Sequence, residues 1–263
     1  AALQRHHYPA SAMVLEQWSD EQTFYRWHSE HFPKPSQTVQ RIREAGLRLL
    51  LWQIPVLKED DVFPHSAVHQ ADIREAIQEG YVIRRADGSP YRINGLWFQD
   101  SLLPDFTNPA ACKWWFDKRK HLLDMGVEGF KTDGGEFLFE EDARLFNGST
   151  GLTAHNHYPG QYVGAYQDFL KEHQVQGLTF SRAGYLGCQT QPAHWAGDQQ
   201  STWAELQAQL RAGISAGLSG ISFWGFDIGG FAGPLPDKEL YLRATALACF
   251  CPIMQWHSET PGG

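Results

Sequence analysis

The stretch Val127–Glu136, with the sequence VEGFKTDGGE, decides the fold prediction. Its apolar run from Val127 to Asp133 predicts a buried strand that ends in a carboxylate. The residues before it, Pro109–Met125, predict a helix, and Gly126 is placed to end that helix. A helix followed at once by a buried strand is typical of the β-α units that surround a parallel sheet.

Outward from this stretch, the same alternation covers the chain. Seven apolar runs, most of them bounded by Gly or Pro, are predicted as strands: Ala12–Trp18, Leu47–Ile54, Val127–Asp133, Gly177–Arg182, Ala193–Asp198, Gly220–Asp227 and Phe250–His257. Amphipathic stretches between them predict further helices: Ser36–Ala45, Gln161–His173 and Thr202–Ala216. This order predicts an α/β fold, and a (β/α)8 TIM barrel of about 250 residues would account for a chain of 263.

One connection, at about 60–108, is longer than a normal link between a strand and a helix. We expect a long loop or a small insertion there, with a helix at Ala71–Gln78 and a hairpin at Tyr81–Arg92 that turns at Asp87 and Gly88. Long loops after barrel strands normally serve the active site.

The composition excludes several classes of protein. Hydrophobic residues make up 42% of the chain and charged residues 20%, which supports a sizeable core and excludes a disordered or fibrous chain. Thirty acidic against 22 basic residues give a formal charge of −8, the wrong sign for binding nucleic acid or an anionic membrane. The aromatic content of 13% suits a large core or a site that stacks on sugar rings.

The sequence also bears on compartment and redox state. It opens with no basic-then-apolar leader, and its apolar runs are far shorter than the ~20 residues that cross a bilayer. Its four cysteines are too few for a disulfide framework and lack the spacing of a zinc site: Cys112, Cys188, Cys249 and Cys251. We expect them to be reduced and buried, which favours a cytoplasmic location while the compartment itself stays unknown.

Polar side chains end most of the predicted strands. They are Glu16 with Trp18, Trp52 with Gln53, Lys131 with Asp133, and then Arg182, Asp198, Asp227 and His257. The carboxyl ends of barrel strands share one face, so we expect these side chains to converge there. Carboxylates beside Lys, Arg and His suit acid/base and nucleophilic work on a neutral polyol, such as retaining glycoside hydrolysis, in which two carboxyl groups lie about 5–5.5 Å apart.

Three blocks of sequence carry a family resemblance: GFKTDGGE (Gly129–Glu136), HWAGDQQSTW (His194–Trp203) and FWGFDIGGF (Phe223–Phe231). They resemble the signature blocks of glycoside hydrolase family 31, the α-glucosidase and α-xylosidase family. Five supporting blocks extend the resemblance over nearly the whole chain, in the expected order: Leu15–Tyr25, Leu49–Pro55, Asp105–Trp115, His155–Tyr158 and Phe180–Gly184. Together these blocks are highly specific, whereas any one of them alone is weak.

The resemblance implies a role for each candidate residue. Asp133 would be the nucleophile and Asp198 the general acid/base, although Asp198 alternatively caps the helix that follows it, and Glu136 is a local rival to Asp133. Sugar hydroxyls and ring faces would be contacted by the remaining candidates: Glu16, Trp18, Trp52, Lys131, Arg182, Trp195, Asp227 and His257. The well-known α-xylosidase and α-glucosidase branches of the family usually carry Asp where this chain has Glu16, so the identity of the sugar stays open.

The resemblance implies a retaining exo-acting α-glycosidase, most simply an α-glucosidase, that takes an oligosaccharide or α-glycoside and needs no cofactor or metal. His155 and His157 are then interpreted as packing under the loop after the nucleophile strand. An α-xylosidase, α-galactosidase, sulfoquinovosidase or α-glucosyltransferase of the same family would share these residues, and the oligomeric state is open.

The resemblance also implies that the chain is an excerpt. Residues 1–263 would form a catalytic barrel without its first strand and last helix, and the family's N-terminal β-sandwich and C-terminal β domains would be absent. The alternative of another class is therefore a non-catalytic or unstable sugar-binding fragment.

Overall fold

The chain divides into two units, of which the first ends at Thr179. Three parallel strands lie at the centre of this first unit. They are β1 (Ala12–Leu15), β2 (Arg48–Gln53) and β3 (Gly129–Thr132), and β2 pairs with both of the others. The computed structural model describes residues 5–59, 66–95 and 97–259. The buried leucines of β2 fit the interior strand of a parallel sheet, which is covered on both faces.

The helices of this unit begin where the sequence supplies a suitable first turn. Ser66 and Asn108 each accept a hydrogen bond from a backbone N–H of the helix that follows. The helices are α1 (Pro35–Glu44), α2 (Ala67–Gln78), α3 (Pro109–Asp117), α4 (Lys120–Asp124), α5 (Gly151–Ala154) and α6 (Tyr158–Glu172). Phe130 of β3 meets Tyr166 of α6 edge to face with 5.1 Å between ring centres, so α6 packs on β3 within the core of this unit.

The second unit begins at Phe180, inside strand β4 (Leu178–Ser181). β4 pairs in parallel with β5 (Ala193–Trp195), and β5 pairs in parallel with β6 (Trp224–Gly225). Two helices follow these strands: α7 (Trp203–Leu218) after β5, and α8 (Lys238–Ala248) after β6. A small core forms around Trp224, Phe226 and Ile228 with residues of α8.

Across the residues that the structure describes, six parallel strands alternate with helices, which confirms the α/β prediction. A closed barrel of this kind has eight strands. The described residues therefore supply six of the eight strands of a (β/α)8 barrel, which fits the prediction of an incomplete barrel.

The seventh predicted strand is wrong. Phe250–His257 forms only an isolated bridge, between Gln255 and Asp227, and two further backbone contacts to the β6 region. Phe250 is 90% exposed and Met254 39%, whereas Cys251 packs partly buried against the Trp224 cluster, so only part of the apolar run is covered within this unit.

The single helix predicted at Pro109–Met125 is also wrong, because it breaks into α3 and α4 around Arg119. The Arg119 N–H bonds to the carbonyl of Phe116, three residues back, instead of continuing the α-helical ladder. The break accompanies complete burial of the Arg119 side chain, whose guanidinium donates to Gln53 of β2. The alternation of apolar residues carries no sign of this tertiary bond.

Other boundaries shift by a few residues. α6 starts earlier than predicted because Pro159 fits a first helical turn, and Thr202 is the cap of α7 rather than its first residue. The predicted hairpin has its turn, with Arg85 N–H bonded to the Ser89 carbonyl, but only isolated bridges follow it. Residues 60–65 and 96 of the long connection lie outside the described residues, and α8 was not predicted.

The cysteines differ from one another in burial. All four are free thiols, as expected, but Cys249 is exposed and only Cys188 is fully buried, so the prediction of four buried cysteines is wrong. Every helix in the described part of the chain is too short or too polar to span a lipid bilayer.

Candidate active site

Asp133 lies directly after β3, at its carboxyl end, and both of its carboxylate oxygens accept hydrogen bonds. The indole Nε1 of Trp52 donates to Oδ2 at 2.9 Å, and the backbone N–H of Gly134 donates to Oδ1 at 2.7 Å. The backbone N–H of Asp133 donates to the carbonyl of Gln53 at 2.9 Å. With only 8% of its surface exposed, the side chain is fixed in one orientation at the strand end.

The chain turns sharply after Asp133 because two glycines follow it. Gly134 has φ of +68° and Gly135 has φ of +102°, in the left-handed region that favours glycine. A Cβ at Gly134 would also lie 2.5 Å from Cδ1 of Ile54. Glu136, the local rival to Asp133, follows this turn and is partly exposed.

Trp52, the penultimate residue of β2, lies beside Asp133, and Trp18 lies behind it. Trp18 is completely buried, and its indole N–H donates to the carbonyl of Trp52 at 2.9 Å. Its ring meets Trp27 edge to face with 5.0 Å between centres. In this arrangement Trp18 supports Trp52, and the predicted contact of Trp18 itself with a sugar stays a prediction.

Glu16 and Lys131 form an ion pair at the ends of β1 and β3. The Lys131 Nζ lies 2.7 Å from the Glu16 Oε1, with 4% of the lysine side chain and 33% of the glutamate side chain exposed. Lys131 and Asp133 stand two residues apart, so their side chains leave the strand on the same face. An ammonium that donates and a carboxylate that accepts are together suited to holding the hydroxyls of a sugar.

In the second unit, Arg182 follows β4 and Asp198 follows β5. The Arg182 Nη1 lies 3.1 Å from the Asp198 Oδ2, and 42% of the aspartate side chain is exposed. The helix cap of α7 is Thr202, whose side chain accepts the Glu205 N–H. The alternative role of Asp198 as the cap of that helix is therefore excluded.

Asp227 follows β6 and is completely buried. Its Oδ1 accepts a hydrogen bond from the Gln255 side chain and lies 3.6 Å from Nδ1 of His257, whose ring stacks on Phe231 at 4.9 Å. The Gln199 side chain donates to the Asp227 carbonyl at 2.6 Å.

Three of these contacts were missed from the sequence. Gln199, Phe231 and Gln255 were not candidates, although Gln255 stands two residues before His257 and so shares its face in extended chain. The remaining candidate, Trp195, is buried in β5 and packs against Phe180 with 5.0 Å between ring centres.

Each unit therefore brings its own set of candidates to the carboxyl ends of its strands. The first holds Glu16, Trp18, Trp52, Lys131 and Asp133, and the second holds Arg182, Trp195, Asp198, Asp227 and His257. Within the described residues no group of three or more His, Cys, Asp or Glu side chains could hold a metal ion. The His155 ring bonds to the carbonyl of Leu138, in the loop after β3, as the packing interpretation predicts.

Residues 1–262 match the family model described as the glycosyl hydrolases family 31 TIM-barrel domain. The chain belongs to glycoside hydrolase family 31. The match covers both units, including the strand ends that carry Asp133 and Asp198. The family resemblance of the sequence blocks is thereby confirmed.

Two similar proteins of family 31 have names that refer to isomaltosyl sugars. The chain is 39% identical to an isomaltosyltransferase of Sporosarcina globispora, over 97% of this chain and 25% of that protein. It is 38% identical to a 1,3-alpha-isomaltosidase of Kribbella flavida, over 95% of this chain and 38% of that protein. The chain thus spans between a quarter and two fifths of the length of these relatives.

A solved structure is similar in fold as well as in sequence. The cycloalternan-degrading enzyme from Trueperella pyogenes, in complex with a covalent intermediate, matches with a TM-score of 0.91 and 38% identity over 99% of this chain and 39% of that chain. Further structures of that enzyme are complexes with cycloalternan and with isomaltose.

Proposed function

We propose that this chain carries the catalytic centre of a retaining, exo-acting α-glycosidase with Asp133 as nucleophile and Asp198 as general acid/base. The observation that carries the proposal is the fixed carboxylate of Asp133, held by Trp52 and Gly134 at the end of β3. A nucleophile must be aligned with the reacting carbon before it attacks, and two donors to one carboxylate supply that alignment.

In the first proposed step, a carboxylate oxygen of Asp133 attacks the anomeric carbon of the sugar. The bond from that carbon to the glycosidic oxygen breaks, and Asp198 donates its proton to the departing oxygen. The product of this step is a glycosyl ester of Asp133. A covalent intermediate in the Trueperella enzyme supports a step of this kind.

In the second step, Asp198 takes a proton from a water molecule or from a hydroxyl of another sugar. The oxygen so activated attacks the anomeric carbon, the ester bond breaks, and Asp133 is released as a carboxylate. Two displacements at the same carbon retain its α configuration.

For the substrate, we propose an α-linked gluco-oligosaccharide whose terminal glucose or isomaltosyl unit is released. The names of the isomaltosyltransferase and the isomaltosidase favour this class of sugar. The Glu16–Lys131 pair would bind hydroxyls of that unit, and Arg182, Asp227 and His257 would bind others.

A transferase is the second candidate, since the isomaltosyltransferase is a relative at 39% identity. Hydrolysis and transfer differ only in whether water or a sugar hydroxyl resolves the glycosyl ester. Product analysis with excess acceptor sugar distinguishes them, because release of free sugar alone excludes transfer.

The test of the proposed centre uses the full-length protein and a panel of aryl α-glycosides of glucose, isomaltose, xylose, galactose and sulfoquinovose. We expect the glucose or isomaltose compounds to be turned over, and Asp133→Ala to abolish turnover. Near-complete activity of Asp133→Ala, together with loss of activity in Glu136→Ala, would show that the nucleophile is assigned to the wrong residue.

A further inference from the structure

Arg119 is a buried cation without a carboxylate partner. Its side chain is completely buried, and no salt bridge to it forms within the described part of the chain. Nε donates to the Gln53 Oε1 at 2.7 Å and Nη1 to the Trp115 carbonyl at 2.9 Å, while Nη2 has no hydrogen-bond partner among the described residues. Burial lowers the pKa of this guanidinium. A charge is costly to bury without an opposite charge, so the presence of Arg119 at this position requires an explanation.

The group that Arg119 holds, the side-chain amide of Gln53, has all of its hydrogen-bonding positions occupied. Its Oε1 accepts from Arg119 and from the Tyr166 hydroxyl, both at 2.7 Å. Its Nε2 donates to the carbonyls of Phe24 at 2.8 Å and Trp52 at 2.9 Å. Because an arginine can only donate, it fixes which end of the amide is the oxygen, and therefore where the amide nitrogen points.

Gln53 and its neighbour Trp52 each make a contact that orients Asp133. The Gln53 carbonyl accepts the Asp133 N–H at 2.9 Å, and the Trp52 indole donates to the Asp133 Oδ2 at 2.9 Å. A path of short hydrogen bonds thus runs from Arg119 through Gln53 to the carboxylate. A shift of the end of β2 would move both contacts at once.

We propose that Arg119 is a positioning residue for the nucleophile, acting through the Gln53 amide to fix the end of β2 against Asp133. This inference rests on the proposed function of Asp133. It accounts for a buried guanidinium that has an amide oxygen rather than a carboxylate as its partner.

The adjacent Lys118 supplies a matched control. It too lies over a tryptophan, with Nζ 4.7 Å from the centre of the Trp114 ring, as the Arg119 guanidinium lies 3.5 Å from that of Trp115. Unlike Arg119, it is partly exposed and pairs with Asp72 at 2.9 Å. Removal of Lys118 perturbs the same α3–α4 junction without touching Gln53.

The experiment measures kcat, KM and the thermal midpoint of the full-length protein with an aryl α-glycoside that it turns over. We expect Arg119→Met to lower kcat about 10- to 100-fold with KM changed less than about twofold, because misalignment of a nucleophile acts on the chemical step. Arg119→Lys, which can still donate to Gln53, should recover part of that loss. Lys118→Met should lower the thermal midpoint and leave kcat unchanged.

A folded Arg119→Met protein with normal kcat, or equal kcat losses in Arg119→Met and Lys118→Met, would overturn the proposal. If Arg119→Met does not fold, Tyr166→Phe removes the other donor to the Gln53 Oε1, and an unchanged kcat in that variant would overturn it as well. The Asp133→Ala variant separates this inference from the proposed function. If Asp133→Ala loses turnover while the Arg119 variants keep a normal kcat, only the inference about Arg119 is wrong. Full turnover in Asp133→Ala defeats the proposed function.

Discussion

At the scale of single residues, the two candidate carboxylates lie in different surroundings. Asp133 is almost fully buried and held through both carboxylate oxygens, whereas the Asp198 side chain is 42% exposed and contacts Arg182. A nucleophile benefits from a fixed orientation, and an acid/base must exchange its proton with substrate and water in turn. Each carboxylate thus lies in surroundings that suit the role proposed for it.

The Trp52 indole is expected to contribute to turnover through its hydrogen bond to Asp133. Trp52→Phe keeps an aromatic ring but removes the donor to Oδ2. A hydrogen bond to a charged group contributes about 1.5–3 kcal/mol, which corresponds to a fall in kcat of about 10- to 150-fold. Steady-state kinetics on the full-length protein measure this fall.

The matched control for this change is Trp27→Phe, since the buried indole N–H of Trp27 has no hydrogen-bond partner in the part of the chain that the structure describes. We expect this variant to keep its kcat. An equal loss of kcat in both variants would indicate that ring packing, rather than the hydrogen bond to Asp133, is what matters.

At the scale of elements, the starts of some helices follow from local signals in the sequence. Asn108 before Pro109 and Thr202 before Trp203 mark the starts of α3 and α7, because each cap binds the backbone N–H groups next to it. The break between α3 and α4 could not be predicted, because it depends on the bond from Arg119 to Gln53, which lies 66 positions away along the chain.

Two features of the turn after β3 require glycine at position 134: the positive φ of the backbone and the short distance to a neighbouring side chain. Gly134→Ala places a Cβ 2.5 Å from Ile54 at φ of +68°. At Gly148, where φ is +86°, an added Cβ would have no atom of the other described residues within 4 Å apart from its chain neighbours. We expect Gly148→Ala to lower the free energy of unfolding by about 1 kcal/mol, and Gly134→Ala by roughly 1–3 kcal/mol more. Denaturant unfolding of the two variants measures the difference, and equal losses would contradict the role of crowding.

At the scale of the whole molecule, the second unit exposes apolar surface to solvent. α7 exposes Leu210, Ile214 and Leu218, which repeat every four residues on one side of the helix, and its one buried residue is Gln209. A contiguous apolar stripe of this kind is typical of a surface that packs against other protein.

We therefore expect the 263-residue chain, when produced alone, to be marginally stable or to associate. Replacement of Leu210, Ile214 and Leu218 by Gln should reduce association without lowering the thermal midpoint, because these side chains are already exposed. Sedimentation velocity and thermal unfolding test this. A monomeric wild-type chain with a cooperative transition would contradict the prediction.

The sequence by itself determined the α/β class, the family, and the placement of candidate residues at the ends of strands. These features depend on local periodicity, on helix caps and on contiguous motifs, all of which involve residues that are close together in the sequence. Only the tertiary structure decided which groups contact each candidate. Trp52 donates a hydrogen bond to Asp133, Glu16 pairs with Lys131, and Gln255 donates to Asp227. The physical reason is that these partners lie on different elements, so their meeting depends on how strands pair and helices pack rather than on any spacing along the chain.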